Sequence, residues 1–232
     1  MSWIERAKKK AALEAVQLVE DGFVIGLGSG STVAYAIEEI GKRIRGKNLR
    51  VLGVPTSHQA SLLAIESGIP LTTLNEHPQL DLAIDGADQI DKELNLIKGM
   101  GGALTREKIV ASASKKLVIV ADETKLVDKL GTDQPVPVEL LPFALPTVMS
   151  KIKEMRGKPV LREAKGKVGP VITDNGNFII DADFAQISAP KELNTRLKLI
   201  PGVIETGLFI EMADMVYLGT PTSVQRLERK SS

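Results

Sequence analysis

A short apolar run, Phe23 to Leu27, enters Gly28-Ser29-Gly30-Ser31, after which helical spacing resumes at Val33, Ile37, Ile40 and Ile44. The run is too brief for a helix, so the stretch reads as strand, tight turn, helix. The same unit returns where Leu49 to Val54 runs into Pro55-Thr56-Ser57 and a helix from Gln59 to Glu66 ends at Gly68. A third strand, Leu82 to Ile84, stops at Asp85, and a helix from about Leu104 to Ser114 feeds a strand from Leu117 to Ala121. Ahead of them all, Ile4, Ala11, Ala15 and Leu18 mark one face of an amphipathic helix that stops near Asp21-Gly22. Alternating strands and helices need crossover connections, which build a mainly parallel sheet covered by helices on both faces. The expected fold is α/β and Rossmann-like, with ligands at the carboxyl ends of the strands.

Near Gly131 the pattern changes. Gln134-Pro135-Val136-Pro137-Val138, Leu141-Pro142 and Leu145-Pro146 are dense in proline, which cannot donate to a central ladder, so an edge or a boundary is expected. Beyond it the sequence predicts a helix from Thr147 to Met155 and a strand from Pro159 to Arg162. Val171 to Thr173 and Phe178 to Ala182 read as a hairpin closed by Asn175-Gly176, and Ser188 as the cap of a helix reaching Leu197. Two tail segments, Gly207 to Ile210 and Asp214 to Leu218, are expected to return to the first sheet. The division that follows is a Rossmann-like catalytic domain of residues 1–130 and 207–232, with a smaller α+β, ferredoxin-like domain of residues 131–206 that serves oligomer contacts.

Charge and composition narrow the function. Thirty basic and 29 acidic residues are well mixed over 232 positions, which excludes the electrostatic footprint of a nucleic-acid or membrane-surface protein. There is no cysteine, so disulfides and thiolate chemistry are excluded together. The start of the chain lacks an apolar run of signal-peptide length, and no later stretch suits a membrane span, so a cytoplasmic protein acting on a small molecule is expected.

In the first loop, glycines let N–H groups converge, hydroxyls add donors, and the following helix offers its positive end, which together suit phosphate. Ser31 stands where a dinucleotide fingerprint needs its third glycine, no lysine completes a Walker motif, and a plain turn of small residues has the same composition. Asp85-Gly86-Ala87-Asp88 suits either a solvated loop or an acid/base site, and its place at a strand end favours the site. Lys98, before a glycine-rich turn, has the charge to hold a phosphate, neutralise a carboxylate or stabilise an oxyanion. Glu107 falls in the first turn of its helix, which favours acids electrostatically and also aims a carboxylate at the strand ends. His58 and His77 lack a metal-ligand partner at helical spacing, so no metal site is expected.

These segments carry a resemblance. Gly28 to Thr32, Asp85 to Asp88, Lys98 to Lys108, Ala121-Asp122-Glu123-Thr124-Lys125, Thr173 to Asn177, Ile200 to Val203 and Gly207-Leu208-Phe209 are together similar to ribose-5-phosphate isomerases of the A type, over nearly the whole chain. The resemblance implies interconversion of ribose 5-phosphate and ribulose 5-phosphate without metal or organic cofactor, in a homodimer or homotetramer. It implies substrate contacts from Ser29, Gly30, Ser31 and Thr32, from Asp85, Gly86, Ala87 and Asp88, from Lys98, Gly99, Met100 and Gly101, and from Lys125, with Lys8 as a further contact. Glu107 takes the role of base. Two departures stand out: Met100 interrupts the family's glycine run, and Gln89 replaces an acid often found there.

The chemistry suits these residues. Moving a carbonyl between adjacent carbons needs a base for the intervening proton and a donor for the enediolate charge. On this reading Glu107 moves the proton, Lys98 stabilises the oxyanion, Asp85 assists ring opening, and Asp88 orients Lys98 or a sugar hydroxyl. Rival readings are a sugar-phosphate deaminase or related isomerase, which calls for a well-placed histidine, and a non-catalytic sugar-phosphate sensor, which does not need Glu107.

Overall fold

A computed structural model describes residues 2–47 and 49–229. The chain runs through α1 (Trp3–Val16), β1 (Val24–Leu27), α2 (Ser31–Lys47), β2 (Leu52–Pro55), α3 (His58–Ser67) and β3 (Leu82–Asp85). Two short strands, β4 (Gln89–Ile90) and β5 (Leu96–Ile97), precede α4 (Leu104–Ser112) and β6 (Leu117–Asp122). The second half contains β7 (Val136–Leu140), α5 (Leu145–Glu154), β8 (Lys158–Leu161), β9 (Phe178–Asp183), α6 (Pro190–Lys198) and β10 (Val203–Thr206). It closes with β11 (Leu208–Phe209), β12 (Met215–Gly219) and β13 (Val224–Glu228).

Two units result. The first holds residues up to Ala87, Arg106–Lys125 and the chain from Met212 on; the second holds Asp88–Thr105 and Leu126–Glu211. This differs from the sequence expectation chiefly at residues 88–105, which join the second unit. The reason is pairing: β5 lies between β4 and β11 in a small antiparallel sheet, so Leu208–Phe209 is paired there and does not return to the large sheet. The last three residues of the expected first domain lie outside the described residues.

In the first unit six strands lie in the order β13-β12-β6-β3-β1-β2, all neighbours parallel except the terminal β12–β13 pair. The expected α/β sheet is therefore present. Alternation decides its two faces. Ile25 and Leu27, Leu82 and Ile84, Val118 and Val120 share one core with Ala11 and Ala15 of α1, Val33, Ile37 and Ile40 of α2, and Ala60 and Ala64 of α3. Each fully buried Ile or Leu there contributes about 1.5–3 kcal/mol relative to exposure. On the opposite face α4 lies close, since a Cβ added at Gly26 would stand 2.4 Å from Val110 Cγ1. The first helix ends at Val16, short of the expected Asp21, because Leu18 and Val19 donate to carbonyls three residues back and tighten the chain into turns.

The second unit carries the β-α-β-β-α-β order from β7 to β10, with the antiparallel sheet order β10-β7-β9-β8, a ferredoxin-like arrangement. Val136, Val138, Leu140, Ile180 and Ala182 pack against Val148 and Ile152 of α5 and Leu197 of α6. Three local expectations change. Val171 to Thr173 is not a strand: the Asn175-Gly176 turn forms, with Gly176 at φ +79° and Thr173 N–H donating to Asn177 O, but β9 takes β8 as its partner. The α6 helix opens after Ala189 without a side-chain cap, so Ser188 does not cap it. Most informative is Pro137, which lies inside an inner strand and not at an edge. Its carbonyl accepts the Gly207 N–H at 2.7 Å, and the N–H it lacks belongs to the same side, just past the end of β10. Gly207 O instead accepts the Lys98 N–H at 2.8 Å.

Candidate active site

Within the first unit, β2 flanks β1 on one side and β3 on the other, so the sheet changes its direction of growth between β1 and β3. The carboxyl ends of these two strands form the crevice such sheets use for ligands. They lead into Gly28-Ser29-Gly30 and into Asp85-Gly86. Buried Asp85 accepts the N–H groups of Ser29 at 3.3 Å and Gly86 at 2.7 Å on Oδ1. A Cβ on Gly28 would fall 2.2 Å from that oxygen and 2.7 Å from Asp85 Cα, so only glycine permits the approach. Ser29 Oγ is hydrogen-bonded to Thr56 Oγ1 at 2.8 Å and Ser57 Oγ at 2.6 Å, while Gly30, at φ +103°, donates its N–H to Gln59 Oε1 at 3.1 Å.

Two loop amides are thus spent inside the protein. The donors left for an anion are the N–H groups of Ser31, Thr32 and Val33 in the first turn of α2, where the helix dipole is positive. Lys8 of α1 reaches this turn, with Nζ 3.4 Å from Ser31 Oγ and 2.9 Å from Glu5 Oε1. Tyr35 OH donates to the other Glu5 oxygen at 2.8 Å. The Lys8 ammonium, then the Tyr35 hydroxyl, hold the Glu5 carboxyl below its usual range, and Glu5 raises the Tyr35 phenol in turn. Lys9 and Lys10 are exposed, so Lys8 alone of the three points inward.

Glu107, 5% exposed, stands in the first turn of α4. It precedes Val110 by three residues and so shares the helix face that Val110 lays against β1. Lys125 ends a 3-10 turn, Glu123–Lys125, at the carboxyl end of β6, where buried Asp122 accepts the N–H and hydroxyl of Thr124.

The second unit holds Asp88, Lys98, Gly99, Met100 and Gly101. Lys98 is 2% exposed, its Nζ 5.4 Å from the centre of the Phe209 ring. Met100 avoids the left-handed region, which falls to Gly99 (φ +102°) and Gly102 (φ +83°) on either side of it; this is how the chain tolerates a side chain in that turn. Asp88 Oδ2 accepts the Met100 N–H at 3.0 Å, so Asp88 also holds the turn that follows Lys98. Gln89 binds the turn at Gly131-Thr132, accepting the Gly131 N–H at 2.8 Å and donating to Thr132 O. An acid in its place lacks the second of these bonds. The Thr173 to Asn177 motif gathers around Glu139, which is fully buried. Its Oε1 accepts from Thr173 Oγ1, Asn175 Nδ2 and Asn177 Nδ2 at 2.8–3.0 Å, and its Oε2 accepts the Thr105 hydroxyl at 2.6 Å.

A family model for ribose 5-phosphate isomerase A (phosphoriboisomerase A) matches residues 52–223. The chain belongs to the ribose-5-phosphate isomerase A family. It is 55% identical over 212 residues to the ribose-5-phosphate isomerase A of Methanosarcina acetivorans, covering 91% of this chain and 89% of that one. With the Thermococcus kodakarensis member it shares 48% identity over 97% of this chain and 99% of the relative. A solved family structure in complex with phospho-erythronic acid superposes with a TM-score of 0.96 at 47% identity, covering 99% of this chain and all of that one. The Methanocaldococcus jannaschii structure gives 0.93 at 48% identity, over 97% and 99% of the two chains.

Sequence reasoning about this isomerase family member missed the partners that hold its loops. Ser57 caps α3 by accepting the Ala60 N–H, and its hydroxyl and that of Thr56 both also bind Ser29. Their position at a strand end was the available signal. The close fit at Gly28 gives a direct test: Gly28→Ala is expected to cost about 1–3 kcal/mol of stability through overpacking. Turnover should fall with it as Asp85 is displaced, and thermal melting alongside isomerase kinetics measures both.

Proposed function

We propose that this chain interconverts D-ribose 5-phosphate and D-ribulose 5-phosphate through an enediolate, within the non-oxidative metabolism of pentose phosphates. The observation that carries the reading is the Asp85 carboxylate fixed at the switch point beside the first turn of α2, an acid next to an anion site. The first turn of α2, with Ser31, Thr32 and Lys8, takes the phosphate, and Lys125 adds a second cation at the same sheet edge. Asp85 assists opening of the furanose ring. Glu107 removes the proton from the second carbon and returns it to the first, and Lys98 stabilises the oxygen on which charge develops. One carbon is oxidised as its neighbour is reduced, so the reaction balances without a redox cofactor.

The phospho-erythronic acid bound to the solved relative carries a phosphate and a carboxylate, the latter matching the negative charge of an enediolate end. It is expected to inhibit this chain competitively. The deciding experiment follows ribulose 5-phosphate formation by the pure protein: saturable conversion supports the isomerase, and saturable binding without conversion overturns it in favour of a sensor. Phosphorylated sugars are anions retained inside membranes, which supports a cytoplasmic enzyme.

Leu141, Phe143 and Leu199 expose apolar side chains on the second unit, Phe143 at 98%, and Leu141 N–H donates to Gly202 O at 2.9 Å, three residues past Leu199. This apolar surface supports a homodimer or homotetramer. Phe143→Glu is expected to lower the mass measured by light scattering, and an unchanged mass removes this surface from the interface.

A further inference from the structure

The turn after Lys98 has a holder that the proposed mechanism does not use. Arg162, directly after β8, is largely buried, and its guanidinium bonds Asp181 through two nitrogens, Nε to Oδ2 at 2.8 Å and Nη2 to Oδ1. Asp181 belongs to β9, an inner strand, and the Arg162 backbone is fixed on both sides by Ile179 O and Val171 N–H. From this platform Nη1 donates to two successive carbonyls, Gly99 O at 2.9 Å and Met100 O at 3.1 Å, and Nη2 lies 3.9 Å from Met100 Sδ.

Peptide planarity converts those contacts into an orientation. In a trans peptide the N–H points opposite to the C=O. The Gly99 carbonyl faces Arg162, and the N–H of the same peptide reaches Asp88 Oδ2 on the other side. The Met100 carbonyl also faces Arg162, so the Gly101 N–H is turned toward the Asp88 side. A Cβ placed on Gly101 would meet no atom within 4 Å and the residue is exposed, so nothing packs against the turn at this position. Gly102 N–H closes the turn on Gly99 O at 3.0 Å.

We propose that Arg162, braced by Asp181, is a positioning residue whose grip on the Gly99 and Met100 carbonyls presents the Gly101 N–H as a hydrogen-bond donor to the sugar. The inference rests on the isomerase reading and deepens it. The fork matters more than the charge: lysine at this position keeps a cation and three donors, but its single nitrogen lacks the planar fork that holds Asp181 through two nitrogens while a third reaches both carbonyls.

The experiment compares Arg162→Lys, Arg162→Ala and Asp181→Asn with the unmodified protein in ribose 5-phosphate isomerisation, with melting recorded for each. Arg162→Lys is expected to lose about 10- to 100-fold in kcat/KM, the scale of a displaced binding group, with its melting temperature within a few degrees of the unmodified protein. Arg162→Ala should lose as much or more and recover in part on addition of millimolar guanidinium, which a merely structural loss does not do. Asp181→Asn should fall between them. Inhibition by inorganic phosphate should stay unchanged in Arg162→Lys, because the phosphate donors, on α2, on α1 and at Lys125, all belong to the first unit and none to the turn that Arg162 holds. Full activity in Arg162→Lys, or a loss in Arg162→Ala that guanidinium leaves untouched, overturns the proposal. Failure of the unmodified protein to isomerise ribose 5-phosphate is a separate result that overturns the parent reading.

Discussion

Glu107→Gln is expected to lower kcat by about 10²–10⁴, the contribution of a positioned general base, with KM changed little. The substitution keeps the size of a side chain that is 5% exposed and removes only its capacity to take a proton. Exchange of the substrate carbon-bound proton in heavy water should slow by the same factor, since exchange and turnover share the abstraction step. Glu107→Asp probes geometry in place of chemistry: drawing the carboxylate back by one methylene should cost about 10², the scale of a 1 Å misplacement. Turnover in Glu107→Gln within tenfold of the unmodified protein would place the base elsewhere.

The second large effect is expected at Lys98. Lys98→Met keeps most of the buried stem and deletes the ammonium above Phe209, and kcat should fall by about 10²–10³, as for loss of one oxyanion donor. An interaction made in the transition state lowers kcat and kcat/KM equally, whereas a ground-state phosphate contact raises KM alone, so the kinetic split assigns the role. Lys98→Arg should not restore activity, because a guanidinium cannot replace a compact point charge at a site 2% exposed. The double variant with Glu107→Gln should lose far less than the product of the single losses, since both groups are assigned to one chemical step.

Legibility from the sequence followed distance along the chain. The strand, turn and helix from Val24 to Lys47 were readable because apolar period, small residues and helix start lie within one window. The carboxylates could be nominated from strand ends alone, but the dependence of Asp85 on a glycine at position 28 could not, because those residues meet only across paired strands. Pro137 misled for the same reason: a missing donor excludes a central strand only if a partner carbonyl requires it, and that partner, Gly207, lies far downstream. The Asn175-Gly176 turn is real, yet a turn signal names neither strand, and β9 finds its partner in β8. Arg162 gave no local sign at all, since its targets precede it by some 60 residues.

The order of strands also bears on how the chain is made. β6, buried along its whole length, lies between β3 and β12, and β12 is synthesised only after the whole second unit. Until Met215 to Gly219 leaves the ribosome, Val118 to Ala121 present an open apolar strand edge, a template for pairing with another chain. Nascent or prematurely terminated chains are therefore the aggregation-prone species, and chaperone demand should end abruptly when the last strands emerge.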